Sequence, residues 1–445
     1  MKNYPKITAA IVLVFVLVIS IIVKQLVPLF VNNEEQTVSS QISSIATEQT
    51  NTEPIVSNTA EEEEEMRAVW VPFMSLTMSS ESDKSEAAFQ KKFDEIVKTS
   101  KEKGMNTLIV QVRPFGDAFY RSSLFPWSHL LTGTQGQDPG YDPLEYMVKA
   151  AHENGLEIHA WVNPLRIQLN TNPSELAENN PYTQWSQDES KKRWVVEYES
   201  GKYFNPAYTE VRKYIADGVK EIVQNYDVDG IQFDDYFYPT QDSVFDQAEY
   251  DAYKEEASQN GVPMELLEWR QANINAMVSQ VYAEVKQTKP EVVFGISPQG
   301  NLQNCLNMGA DVKTWCSTQG YIDYICPQLY VNFEHQVLPF GSAVKEWRDL
   351  VTNPSIKLYF GLGLYKAGSD VDGGTWQKSD TIIADQIQAG REAQGDGFMF
   401  YSYDYLNHEQ TEQEVQNAVK LLNLCDCYIK RTFLSESPFF AVFMI

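Results

Sequence analysis

Between Met66 and Asn423 the chain alternates two hydrophobic rhythms. Short β-branched or aromatic runs, apolar on both faces, are separated by stretches whose apolar positions recur at helical spacing. The first rhythm predicts strands at Arg67–Phe73, Thr107–Arg113, Glu157–Val162, Gly230–Asp234, Val292–Ser297, Tyr324–Tyr330, Lys357–Gly363 and Gly397–Tyr401. The second predicts helices at Ser85–Lys103, Pro143–Asn154, Ala207–Tyr226, Pro263–Thr288, Gly341–Leu350, Thr381–Ala393 and Glu412–Leu422. Gly104, Gly155 and Gly395 fall where a helix C-cap is expected. Strands apolar on both faces and alternating with helices are parallel and covered. Their number favours a (β/α)8 TIM barrel, an α/β fold, over a doubly wound sheet.

The connections are uneven. Those preceding strands are short, whereas those following the second, third and fourth strands, 114–142, 163–206 and 236–262, are long. Loops after strands build the C-terminal face of a barrel, where active sites sit. These loops carry Phe115, Phe119, Tyr120, Phe125, Trp127, Trp185, Trp194, Tyr236, Phe237 and Tyr238. Aromatic faces stack on the C–H faces of sugars, so a glycan-binding rim is expected; the alternative is that the rings pack the loops down.

The fourth strand continues from Gly230 through Ile231, Gln232, Phe233, Asp234 and Asp235. Successive side chains alternate faces. With Ile231 and Phe233 toward the helices, Gln232 and Asp234 point into the barrel mouth. Asp235 falls just past the strand end, and two adjacent carboxylates repel unless a cation or donors hold one, or one keeps its proton. On the third strand His159, Trp161 and Asn163 share the inward face, and Arg166 offers a cation to a neighbouring carboxylate. Gln111 and Arg113 share a face of the second strand, making Arg113 a second source of positive charge. Further candidates at strand ends are Gln299, Asn301, Gln328, Tyr330, Glu334, Tyr401 and Asp404, with Tyr236 and Tyr238 beyond the fourth strand. Polar residues converging on one mouth suit a polyhydroxylated ligand. Glycoside hydrolysis needs an acid and a nucleophile or base. Asp234 is expected as nucleophile or base, and Asp235, Glu334 or Asp404, with Glu197 further off, as the acid.

Composition narrows the alternatives. A formal charge of −26 argues against nucleic acid as a partner. The five histidines form no metal-binding spacing, and no dinucleotide, P-loop or Gly-x-Ser-x-Gly pattern is present, so no cofactor or metal is expected. Cys305, Cys316, Cys326, Cys425 and Cys427 match no zinc pattern, and burial as free thiols is expected for Cys316 and Cys326. Lys2 and Lys6 precede an apolar run from Ile7 to Val23, longer than the usual secretory core of about 7–15 residues and shorter than a span of about 20. Residues 1–31 are read as an uncleaved signal anchor, with a cleaved signal peptide as the alternative. Both imply an exported, extracytoplasmic protein. Residues 32–65, polar and ending in Glu61–Glu65, read as a disordered tether. Residues 66–423 form the barrel, and 424–445 are an atypical tail with no functional reading.

The chain resembles the glycosyl hydrolase-like family 10, a bacterial group of exported proteins. The resemblance rests on Met66–Val71, Gln111–Pro114, His159–Arg166, Asp229–Pro239, Gly295–Pro298 and Tyr324–Tyr330, in this order over about residues 65–423. It implies a glycosidase-type barrel acting on polysaccharide, in particular peptidoglycan strands stripped of peptides. The Asp229–Tyr236 run is also similar to the Asp-Gly-x-Asp-x-Asp-x-Glu run of chitinase-type barrels, with Tyr236 where that pattern carries its acid. Two other readings remain: a carbohydrate-binding barrel without turnover, and a metal-assisted lyase or deacetylase using Asp234, Asp235 and His159.

Overall fold

The computed structural model describes residues 64–435, apart from Asn260. The expected anchor, the tether up to Glu63 and the last ten residues lie outside the described residues. No helix among the described residues is long and apolar enough to cross a membrane.

The described residues form twelve strands: β1 Met66–Val71, β2 Thr107–Arg113, β3 Glu157–Val162, β4 Arg166–Gln168, β5 Val195–Tyr198, β6 Gly201–Phe204, β7 Gly230–Phe233, β8 Val293–Ile296, β9 Tyr324–Ile325, β10 Gln328–Leu329, β11 Lys357–Leu362 and β12 Gly397–Phe400. The order β10-β11-β12-β1-β2-β3-β7-β8-β9, with β9 pairing back to β11, closes a parallel ring. The expected sixth strand is divided into β9 and β10 at Pro327, which has no N–H to offer the ladder. Counted as one, the two pieces complete an eight-stranded TIM barrel. Its helices include Glu86–Glu102, Pro143–Glu153, Thr209–Asn225, Leu266–Thr288, Phe340–Leu350 and Ile382–Glu392. Ser85 and Asp142 cap the first two through their side chains.

One apolar layer lies between strands and helices. A second fills the barrel, where Met66, Ala68, Trp70, Ile109, Trp161, Tyr324, Cys326, Tyr359 and Met399 meet. Large inward side chains need room. A Cβ on Gly295 would lie 2.1 Å from the Tyr324 ring, and one on Gly230 would lie 2.6 Å from the His159 ring. These two glycines admit the rings that floor the barrel.

Four details depart from the expected pattern. A three-stranded antiparallel sheet, β4-β6-β5, occupies the long third loop. At the end of the helix Ile382–Glu392 the left-handed residue is Gln394, at φ 58°, and not Gly395. Gly395 instead allows close approach, since a Cβ there would lie 2.5 Å from Phe360. The last helix runs Glu412–Ser435, past its expected end at Leu422. The tether boundary also shifts slightly, because Glu65 already docks on Arg391, two contacts of 2.7 Å joining the carboxylate and guanidinium. Cys305, Cys316 and Cys326 are buried free thiols.

Candidate active site

Strand alternation places a carboxylate at the C-terminal mouth. Phe233 turns outward, packing on Phe294 at 5.1 Å between ring centroids, and Gln232 turns inward. Gln232 accepts from Trp70 Nε1 at 2.5 Å and donates to the Tyr324 hydroxyl at 3.2 Å. One pleat further, Asp234 sits above this floor at 2% exposure. The neighbouring β3 supplies its donors in the expected register. Trp161 Nε1 donates to Oδ2 at 3.0 Å, and Asn163 Nδ2 lies 3.2 Å from each oxygen. The Tyr236 amide donates to Oδ1 at 3.3 Å. Asn163 is itself held by the Arg166 amide at 3.0 Å.

Asp235 follows where the strand has ended, so its side chain shares the same opening. Gln328 Nε2 donates to it at 3.1 Å. The two carboxyls line a cavity of about 200 Å³ with Trp70, Trp161, Tyr236, Ser297, Gln328, Tyr330, Tyr365 and Tyr401. Trp70, Tyr330, Tyr365 and Tyr401 form a continuous aromatic cluster, with centroid separations between 5.5 and 6.4 Å. Ser297 contributes a buried hydroxyl with no hydrogen-bond partner.

Electrostatics set the protonation of the pair. Burial, then the negative charge of Asp235, raise the Asp234 carboxyl to about 7 against the pull of Arg166 and its donors. Burial also raises Asp235, opposed by Gln328 and Arg166. The two carboxyls influence each other's ionisation, and the proton retained toward pH 7 belongs to the pair rather than to one residue.

Other expected site residues lie elsewhere. Arg113 does not reach the mouth: a register shift between Gln111 and Arg113 turns it outward. Its guanidinium lies 4.3 Å from the Phe125 centroid, in space left by Gly218. Gln111 remains inward, receiving the Phe73 amide at 3.1 Å. His159 faces inward but lies too deep; its Nδ1 is 3.1 Å from the Tyr324 hydroxyl, and burial lowers it to about 4. Tyr238 is buried, with the Arg270 guanidinium 4.8 Å from its ring centroid. Asn301 caps the short helix Leu302–Asn307, and Gln299 bridges through its backbone to Gln328 without lining the cavity.

Of the proposed acids, only Asp235 lines this cavity. Glu334 is exposed and paired with Lys378. Asp404 receives Ser75 Oγ at 3.0 and 2.9 Å and lines a separate groove. Glu197 belongs to β5 and bonds Tyr182. Asp229 lies at the opposite end of β7, where its Oδ2 receives the Ile158 amide at 2.8 Å.

The expected aromatic rim is a packing feature. Phe115, Phe119, Tyr120, Phe125, Trp185, Phe237 and Tyr238 are buried, while Tyr236 is exposed and reaches the cavity. The rings that line the site come mainly from strand ends. Trp70 and Tyr365 were not expected there, although alternation from Ala68 places Trp70 inward. After the fifth barrel strand it is Ser297, and not Gln299 or Asn301, that lines the cavity. Among the described residues no cluster of three or more His, Cys, Asp or Glu side chains could hold a metal.

The family model described as Glycosyl hydrolase-like 10 matches residues 65–378. The chain is 34% identical over 376 residues to the glycosyl hydrolase YngK of Bacillus subtilis (strain 168), covering 80% of this chain and 71% of the relative. Its fold is similar to alpha-L-fucosidase isoenzyme 2 from Paenibacillus thiaminolyticus, with a TM-score of 0.53, 12% identity and coverage of 82% of this chain and 50% of that one. It is also similar to the PgaB (BpsB) glycoside hydrolase domain from Bordetella bronchiseptica, with a TM-score of 0.53, 13% identity and coverage of 80% and 99%.

Proposed function

Because the chain belongs to the glycosyl hydrolase-like 10 family, we propose that it is an exported glycoside hydrolase of bacterial cell-wall glycan, tethered to the membrane by its N-terminal segment, with Asp234 and Asp235 as its working carboxyl pair. The observation that carries this reading is the pair itself: two adjacent carboxyls lining one aromatic-walled cavity at the barrel mouth, both raised above their usual range. Such a pair offers a proton and a negative charge at the same pH, which cleavage of a glycosidic bond demands.

The donors support a division of roles. Trp161, Asn163 and the Tyr236 amide fix both oxygens of Asp234, and as donors they favour its anion. Asp234 is the nucleophile or base in the reactive form of the pair, in which the shared proton sits on Asp235. Asp235, held by one amide donor, protonates the leaving oxygen as its bond to the anomeric carbon breaks. Positive charge developing on the sugar is then met by the Asp234 anion, and water completes hydrolysis. The cavity, smaller than the roughly 300–1,000 Å³ of common ligand pockets, suits one ring of a chain at a time.

A soluble form beginning at Glu65 tests the reading with peptide-free peptidoglycan strands and other polysaccharides, followed by release of reducing ends. Turnover that falls by about 100-fold or more in both Asp234→Asn and Asp235→Asn supports it. Turnover unchanged in Asp234→Asn removes the assigned nucleophile. Saturable binding without product from the unaltered protein makes the barrel a carbohydrate-binding one.

A further inference from the structure

Arg166 stands beside the carboxyl pair and is 8% exposed. Its position is built: Nε donates to the Pro114 carbonyl at 3.1 Å, and its guanidinium lies between two rings, 5.0 Å from the Phe115 centroid and 4.7 Å from that of Tyr236. Both Asp234 and Asp235 feel its charge, yet among the hydrogen bonds of Asp234 and Asp235 none comes from its guanidinium. Beyond the Tyr236 phenol beside them, its terminal nitrogens meet no hydrogen-bond acceptor among the described residues, and they are not sealed from solvent. A nearly buried guanidinium normally has its N–H groups satisfied. Here four N–H bonds point from a rigid, aromatic-clamped fork whose Tyr236 wall also lines the cavity.

We propose that Arg166 is a specificity residue that receives a carboxylate carried by the substrate sugar in or next to the cavity. The chemistry is that of a planar fork meeting a planar anion, a geometry Arg offers and Lys does not. The substrate class is therefore a glycan with free carboxylates on its rings or ring ethers. On a cell-wall strand this is the acidic ether substituent left exposed once peptides are removed. Near two carboxyls, in a chain of charge −26, Arg166 also offsets the repulsion that an acidic substrate meets at the mouth.

The inference rests on the glycosidase reading and is separable from it. Peptide-free strands are prepared in two forms, one with free carboxylates and one with those groups converted to primary amides. The unaltered protein should cleave the free-acid form with kcat/KM roughly 10- to 100-fold higher, the range for a charge-assisted hydrogen-bonded pair. Arg166→Gln should bring the two forms within about threefold of each other, and Arg166→Lys should restore part of the preference. If Arg166→Gln lowers turnover below detection, binding to the Asp234→Asn protein, with and without Arg166→Gln, supplies the same comparison. Equal use of both forms by the unaltered protein, or a preference that survives Arg166→Gln, overturns the inference while leaving the hydrolase intact. Cleavage of neither form removes the hydrolase reading and this inference with it.

Discussion

Replacing Asp234 by Asn should change the pH dependence of stability whatever the substrate is. The carboxyl is raised from 3.8 to about 7 in the folded chain. Between those values the folded chain holds a proton that the unfolded chain has released, so stability falls as pH rises through the window. About three units correspond to on the order of 4 kcal/mol, absent below about pH 4 and complete above about pH 7. Asn carries no such dependence. Its amide nitrogen, facing the donors of Trp161 or Asn163, removes roughly 1–3 kcal/mol at every pH, so the pH-dependent difference is the readout. Denaturant unfolding at pH 4.5 and pH 8 should show the variant gaining on the unaltered protein by a few kcal/mol at the higher pH. Parallel pH profiles for the two proteins would refute the view that Asp234 is buried at a cost in stability.

Three further outcomes follow from the same geometry. Trp161→Phe removes one donor to the Asp234 anion, so the apparent ionisation of the pair in the pH–activity profile should move up by about 1–2 units; a downward move would contradict the donor assignment. Glu334→Gln should leave turnover within about threefold of the unaltered protein, as its carboxylate is paired with Lys378 outside the cavity; a loss comparable to that of Asp235→Asn would restore it as the acid. Gly295→Ala forces a Cβ to 2.1 Å from the buried Tyr324 ring and should lower unfolding stability by about 1–3 kcal/mol; unchanged stability would show that the barrel floor yields.

The fold was legible because its strands are apolar on both faces and its helices carry the longer period. Alternation also put Gln232 and Asp234 on the face shared by Trp161 and Asn163. The same rule misplaced Arg113, because a register shift changes the face and nothing in Gln111-Val112-Arg113 announces it. Short polar strands hid the β4-β6-β5 sheet, whose apolar contribution is a few residues such as Val195 and Phe204. Asn301 illustrates a different limit. A polar residue after a strand can cap the next helix as readily as face a ligand, and here it accepts the Asn304 amide at 3.1 Å. The aromatic loops misled for a related reason: long loops need their own small cores, and rings such as Phe119 and Tyr120 form them.

The most direct test of the carboxyl pair is kcat/KM against pH on a soluble cell-wall glycan, which reports ionisations of the free enzyme. A fall in activity with an apparent pKa near 7, as the shared proton is lost, is the expected result. A kcat/KM that stays constant from about pH 6 to beyond about pH 9 would contradict it.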